Sequence, residues 1–436
     1  MVSRGAEVMK NHSRQPVTFS LGKNVEIEIW GGFNTIGGNC IVVRDRDEAI
    51  ILDQGINFTA FKKYYGGFIQ PEIVEDLREV GALPPKTIYE EVSEVYISHF
   101  HLDHLGSLAI PFEYDVEIYI PSKYVLEKLS NFWYWSWKEL LLPSTFDLSE
   151  LKNMTTSKRV KLIQVSHSAY PSYSFLIETS EGNILYTGDF RVNSPIDMVN
   201  SLENYQEVLE DNKVDVLIIE GTNFSRRVTP LTAGEVRSML ERILSKYDQK
   251  HLFISAHPLD IESFLLVSDI LKNKGFDLVL THTKYAELLD VQLEELGVRD
   301  TTFFLLPLKG TYSGQLPHVR EVKLKDILDR KVAFFTSITA VSEMKMLKRR
   351  GLNLGGLLHI TLTGEPLEEE GRIMEARLGN WLRRFGMNPI RLHLSGHYYP
   401  YEFKDILEVV KPRKLIPIHT RAPKTMIALF NTYNKK

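Results

Sequence analysis

One cysteine, Cys40, stands among 436 residues. That excludes an internal disulfide and any cysteine-built zinc cluster, and it suits a reducing compartment. Long apolar runs are missing too. No stretch approaches the roughly 20 residues that span a bilayer, and the opening MVSRGAEVMKNHSRQ lacks the apolar core of a secretory signal. The expectation is a soluble, cytoplasmic protein with no membrane segment. No internal repeat or low-complexity tract is evident. At 43% hydrophobic and 25% charged residues, the composition is that of a globular protein, neither disordered nor fibrous.

Acid and base nearly balance, at a net charge of −4, but not along the chain. Residues 301–436 carry 23 Lys and Arg against 12 Asp and Glu, a net of +11 that leaves −15 for residues 1–300. The clusters LKRRG (Lys348, Arg349, Arg350), WLRRFG (Arg383, Arg384) and VKPRK (Lys411, Arg413, Lys414) lie in that last third. Such asymmetry suits an anionic polymer bound along one side. For any single cluster, a solvated helix end explains it equally well.

The length calls for two domains. VEIEIWGG, NCIVVRD and EAIILDQG read as paired strands, and VSEVYISH, RVKLIQVSHS, YSFLIETSEGNILYTGDF and VDVLIIEGT as further strands that end in polar residues. Helical patterns intervene at 122–142 and 233–246, so the first part is predicted to be an αββα sandwich of two sheets. The aromatic stretch NFWYWSWKELLL (131–142) reads as a helix packed on a core rather than a stacking surface. From about residue 226 strands and helices alternate as in a parallel α/β sheet, and after Asn388 the runs IRLHLSGH and KLIPIHT again end in histidine. The predicted division is a first domain over 1–225, an inserted domain over 226–388, and a closing segment of the first over 389–436.

Chemistry concentrates in SHFHLDHLG, residues 98–106. Alternate residues of an extended strand end face one side, so His99 and His101 can grip one ion together. After the turn, Asp103 and His104 can face a second. Imidazole and carboxylate suit a hydrolytic metal such as zinc. His167, Asp189 and His419 each follow another apolar strand, as expected if every strand delivers one ligand to a shared edge. Alone, each could be a turn residue; together with HxHxDH they point to two metal sites.

ILDQG with Asp53, SHFHLDHLG, VSHS with His167 and YTGDF with Asp189 resemble the four ordered motifs of the metallo-β-lactamase fold. IIEGT with Glu220, LHLSGH with His397 and PIHT with His419 resemble the three additional motifs of the β-CASP nucleases, and TLTGEP resembles their glycine-containing loop. The order SGH, helix, VKPRKLIPIHT is most similar to the ribonuclease J branch. His101, where a glutamate would mark the flavodiiron oxidoreductases, disfavours that branch. One departure stands out: the last motif reads His419-Thr420-Arg421 where the family has His-Gly-Glu. With only a short run of sequence after His419, the expectation is a form without the C-terminal domain of bacterial relatives.

The resemblance implies two zinc ions per chain, with manganese or another divalent ion as a substitute. One would be held by His99, His101 and His167, the other by Asp103, His104 and His419, with Asp189 bridging and Asp53 orienting from behind. It implies His397 as proton donor to a leaving ribose oxygen, held by Glu220, and a 5′-phosphate site at Ser395, Gly396, Thr363 and Gly364. His393 is expected to pack within its strand. The activity implied is 5′-to-3′ ribonuclease action on RNA with a 5′ monophosphate. An endonuclease of the cleavage and polyadenylation type, a non-catalytic scaffold subunit, and a small-molecule thioesterase or lactonase are the alternatives. Homo-oligomerisation is left open.

Overall fold

The computed structural model describes residues 15–433 apart from 107, 109, 112, 141–145, 227–228, 300, 310–315, 337–340 and 364–368. The helix Lys123–Leu140 is among them. The side chains of 132–140 are not, so the packing expected of the aromatic stretch lies outside the described residues.

Two sheets face each other. One has seven strands in chain order, from Val17–Leu21 through Val25–Gly31, Cys40–Asp45, Glu48–Leu52, Val92–Tyr96 and Glu117–Ile120 to Leu151–Asn153. Its first four strands pair antiparallel and the rest parallel. The other has five, with Lys414–Ile418 at one edge beside Val216–Glu220, then Gly182–Tyr186, Ser172–Thr179 and Val160–Val165.

Period-two alternation explains the layering. In EAIIL (Glu48–Leu52), Ile50 and Leu52 point to the space between the sheets, while Ile51 points to the helices outside. Ile50 and Leu52 meet Phe175, Ile177, Tyr186 and Ile218 of the second sheet. Ile51 joins Phe61, Leu77, Val125 and Leu126 of the covering helices. On the far side, Leu185, Leu217 and Ile219 meet Tyr205, Phe403, Ile406 and Met426. Each such aliphatic burial contributes about 1.5–3 kcal/mol. The result is the expected αββα sandwich.

Between Val216–Glu220 and Lys414–Ile418 the chain builds a third sheet of seven strands, all parallel. This is consistent with a β-CASP insertion. The strand Asn388–His393 pairs with Leu358–Thr363 in this sheet. The division expected from the sequence places IRLHLSGH with the first domain; the sheet instead runs past residue 388, because this strand completes the parallel ladder before the chain crosses back.

A buried ionic cluster ties insertion to sandwich. Arg191 donates from Nη1 to Glu262 at 3.0 Å and from Nη2 to Asp260 at 3.2 Å, and its Nε donates to the Ser395 carbonyl at 2.6 Å. Asp260 also caps the helix Ile261–Asn273. Among the described residues no helix is long and apolar enough to cross a membrane.

Candidate metal centre and hydrolytic site

Every ligand-type residue singled out in the sequence lies at the C-terminal end of a strand or just beyond it. Asp53 follows Glu48–Leu52; His99 and His101 follow Val92–Tyr96; Asp103 and His104 sit on the single turn Leu102–Leu105. His167, Asp189 and His419 follow Val160–Val165, Gly182–Tyr186 and Lys414–Ile418, and Glu220 ends Val216–Glu220. The chain leaves several of these strands abruptly, with left-handed φ of +57° at Asp53, +55° at Gly188 and +50° at His419. A methyl group on Gly188 would also strike Ser98, coming within 2.9 Å of its Cβ.

The structure brings these residues together. Ligating atoms lie within 4.8 Å of one another in four groups: His99, His101 and His167; His99, His104 and Asp189; Asp103, His104 and His419; Asp189, Glu220 and His397. Two buried atoms in their midst, His99 Nε2 and Asp189 Oδ1, have no hydrogen-bond partner among the described residues. Orphaned buried lone pairs are costly. A divalent cation would satisfy both, so the donor set fits the metal centre of the fold.

Outer contacts fix the tautomers. His167 donates from Nδ1 to the Gly396 carbonyl at 2.6 Å, which leaves its Nε2 lone pair facing the cluster. His104 Nδ1 lies 2.7 Å from Asp53 and its Nε2 3.1 Å from Asp189. His419 Nδ1 meets the Thr222 hydroxyl at 2.7 Å, and its Nε2 lies 3.1 Å from Asp103. Asp53 therefore touches one ligand-type residue, His104, and also accepts from the Ser98 backbone N–H at 2.7 Å, the Ser98 hydroxyl at 2.8 Å and the Tyr186 hydroxyl.

Charge follows this geometry. Burial, reinforced by neighbouring imidazoles, holds His99 well below the usual histidine range, so its ring is neutral and able to coordinate. For His104 burial pulls the same way, but the Asp189 and Asp53 carboxylates outweigh it and push the ring well above that range. His419 is raised likewise, by Asp189 and Asp103 against burial. Burial opposes ionisation of Asp189, yet the His104 and His419 charges hold its carboxyl below the ordinary value.

Beside this cluster, Glu220 Oε1 lies 3.1 Å from His397 Nδ1, and both residues are fully buried. Oε2 of Glu220 accepts from the Thr222 N–H at 2.8 Å. His397 Nδ1 is also 3.8 Å from Asp189. Ser395 is buried, accepting from Asn223 Nδ2 at 3.0 Å and from the His397 N–H at 3.1 Å. Thr363 meets His393 across the ladder at 2.9 Å, so His393 bonds within its sheet. Gly364 lies outside the described residues. At the divergent last motif, the Thr420 hydroxyl bonds Ser225 at 3.0 Å and the Arg421 N–H donates to Ser225 at 2.7 Å. The loop is thus anchored by a serine after Glu220.

Sequence reasoning missed Thr222, Tyr186 and His257. The His257 ring lies 5.5 Å from that of His101, and its signal was present, since HLFISAH is again a strand ending in histidine.

Comparison with known proteins agrees with this geometry. A profile of the Metallo-beta-lactamase superfamily matches residues 34–248. Ribonuclease J of Mycoplasma genitalium is 24% identical over 93% of this chain and 69% of its own. That of Pyrococcus abyssi is 22% identical over 91% and 89%, and that of Methanocaldococcus jannaschii 24% over 91% of both. A crystal structure of a protein of unknown function from Enterococcus faecalis V583 superposes with a TM-score of 0.67 at 22% identity, covering 92% of this chain and 95% of that one. The sandwich, the matched segment and the buried histidine–aspartate groups give this chain the α/β fold of the metallo-β-lactamase superfamily.

Proposed function

We propose that this chain is a zinc-dependent ribonuclease of the β-CASP group, acting 5′ to 3′ on RNA that carries a 5′ monophosphate. The observation that carries the reading is the buried Glu220–His397 pair set against Asp189. A metal-only hydrolase of this fold has no need of it, whereas a phosphodiester with a ribose leaving group has. Full-length similarity to ribonuclease J and the parallel insertion support the same conclusion. With it we propose the division into 1–225, an insertion beginning at 226, and a closing segment that carries His397 and His419.

His99, His101 and His167 would hold one ion, Asp103, His104 and His419 the other, with Asp189 shared. Bound divalent ions would supply Lewis acidity, activating water and countering charge on the phosphate. The remaining work falls to the chain. Attack of a water oxygen on phosphorus breaks the bond to the ribose 3′ oxygen, which must take up a proton. His397, its Nδ1–H anchored on Glu220, presents Nε2 as that donor. A cleft of about 490 Å³ lined by Arg191, Arg237, Ser395, His397, Tyr399 and Tyr401 has room for a terminal nucleotide. Because Ser395 already bonds Asn223 and His397, its part in holding a 5′ phosphate is to shape the loop as well as to donate.

One RNA prepared with 5′-monophosphate, 5′-triphosphate and 5′-hydroxyl ends, internally labelled, tests this. Fastest loss of the monophosphate form with mononucleotides as first products is expected. Internal fragments at equal rates would assign an endonuclease, and a chain without bound metal or hydrolysis would be a scaffold.

A further inference from the structure

We propose a second nucleic-acid site, a cation-lined aromatic cleft between the helices Val341–Arg349 and Glu369–Phe385, that holds the body of a single-stranded RNA while its 5′ end is in the catalytic centre. The proposal rests on the ribonuclease reading for its substrate and adds a surface that reading does not use.

The two helices follow the parallel strands Val332–Thr336 and Leu358–Thr363, which flank His251–Ser255 in the sheet, and lie side by side. Lys345 Nζ sits 3.7 Å from the centroid of the Trp381 ring, and Lys348 Nζ 5.5 Å from that of Phe385. Trp381 and Phe385 are themselves 5.6 Å apart. Lys345, Lys348, Arg349 and Arg384 line the resulting cleft of about 650 Å³ together with the two rings. Among the described residues no carboxylate lines it, and none of these four cations forms an ion pair. Uncompensated cations around a half-buried ring match what a nucleotide presents, a π-face and a phosphate. Arg383, the neighbour in WLRRFG, turns away and donates to Asn380.

The cleft is remote from the metal centre on two counts. Met344, Leu347, Leu382 and Phe385 pack on the face of the parallel sheet carrying Phe253, Val279 and Phe334. The helices next to the sandwich pack on the opposite face, with Leu252, Ile254 and Phe335. Moreover, Phe385 precedes the strand Asn388–His393, while Ser395 and His397 follow it. One strand length, about 20 Å at 3.3 Å per residue, therefore lies between Phe385 and the Ser395–His397 loop. A trinucleotide with its 5′ end in the catalytic centre is too short to reach the cleft, whereas a longer RNA can occupy both.

The test uses the full chain, Trp381→Leu, and the charge-reversal pair Lys348→Glu/Arg349→Glu. Polarisation of a labelled oligouridylate of roughly 20 nucleotides is measured in chelator across a salt series, and hydrolysis is measured on that RNA and on a 5′-phosphorylated trinucleotide. Trp381→Leu should weaken binding by roughly 5–100-fold, the worth of one base stacked on an aromatic ring. The charge pair should flatten the salt slope by about 0.7 for each phosphate no longer neutralised. Both should raise KM on the long RNA and leave trinucleotide hydrolysis unchanged. Variants that bind and cleave like the parent would overturn the cleft while the ribonuclease reading stood. A parent inert on RNA would sink that reading, and polarisation would still decide the cleft. Loss in the charge pair alone, with Trp381→Leu indifferent, would also overturn it, leaving a face that attracts any polyanion, an acidic protein included.

Discussion

Asp53→Asn should disarm the metal centre from behind while leaving its shape intact. The residue is fully buried with φ of +57°, a left-handed conformation that asparagine tolerates as well as aspartate, so the substitution isolates charge. Four donors converge on the carboxylate: the Ser98 N–H on Oδ1, and the Ser98 hydroxyl, His104 Nδ1 and the Tyr186 hydroxyl on Oδ2. Asparagine keeps one acceptor, which the Ser98 N–H takes. Its amide nitrogen then stands where three donors point. The two hydroxyls can rotate and accept. His104 can accept only by shifting its proton to Nε2, the atom that faces Asp189 at 3.1 Å. A ligand with its lone pair so blocked should lower metal affinity about 10–100-fold, or about 1.4–2.8 kcal/mol. Lost charge-assisted bonds, at about 1.5–3 kcal/mol each with partial replacement by the amide, should cost the metal-free chain about 2–4 kcal/mol. Chelator competition gives the first quantity and urea unfolding in chelator the second. Parental affinity for every bound ion in a folded Asp53→Asn chain would refute the tautomer argument.

Other outcomes follow from the same geometry. His397→Ala should slow RNA hydrolysis about 10²–10⁴-fold with metal content unchanged by elemental analysis; Glu220→Gln should act in the same direction, since it removes the carboxylate 3.1 Å from Nδ1. Asp103→Ala or His104→Ala should abolish hydrolysis yet leave RNA affinity nearly intact, because phosphate contacts elsewhere dominate binding; an electrophoretic shift assay on the inactive variants checks this. Glu262 gives a pH signature: burial, opposed by Arg191, raises its carboxyl from 4.5 to about 7. The folded chain keeps that proton up to about pH 7, and the unfolded chain releases it from about 4.5. Stability is therefore lost as pH rises through that window, by at most about 3 kcal/mol. Thermal melts of Glu262→Gln in chelator should show that slope flattened.

Much of the site was legible because one rule, a polar residue at the end of an apolar strand, found each ligand position separately. The rule works since strands of one sandwich end at a common edge. It would also have found His257, had it been applied to the insertion. Thr222 and Tyr186 were not legible. Tyr186 reads as an interior strand residue, and only the packing of the two sheets face to face brings its hydroxyl to Asp53, 133 positions away. Strand order was equally hidden: periodicity announces that a strand exists, not that Val332–Thr336 lies between Asp277–His282 and His251–Ser255. The 388 boundary was hidden for a related reason. A strand ending in histidine looks the same whichever sheet it joins, and hydrogen-bonding to Leu358–Thr363 decides the matter.

The adjacency of Val216–Glu220 and Lys414–Ile418, with Glu220 opposite Ile418, governs the order of assembly. These neighbours are separated in the chain by the whole insertion. Closing an unstructured loop of that length costs about 5 kcal/mol, so prior folding of the parallel sheet, which draws its two ends together, lowers the barrier to docking the last strand. During synthesis the earlier strands emerge first. His99, His101, Asp103, His104, His167 and Asp189 can all be in place while His397 and His419 are still unmade. For a chain proposed to hydrolyse RNA, the ligand set and the proton donor are thus completed only after the whole insertion has been made, and the nascent chain lacks its full site until Lys414–Ile418 has emerged and docked.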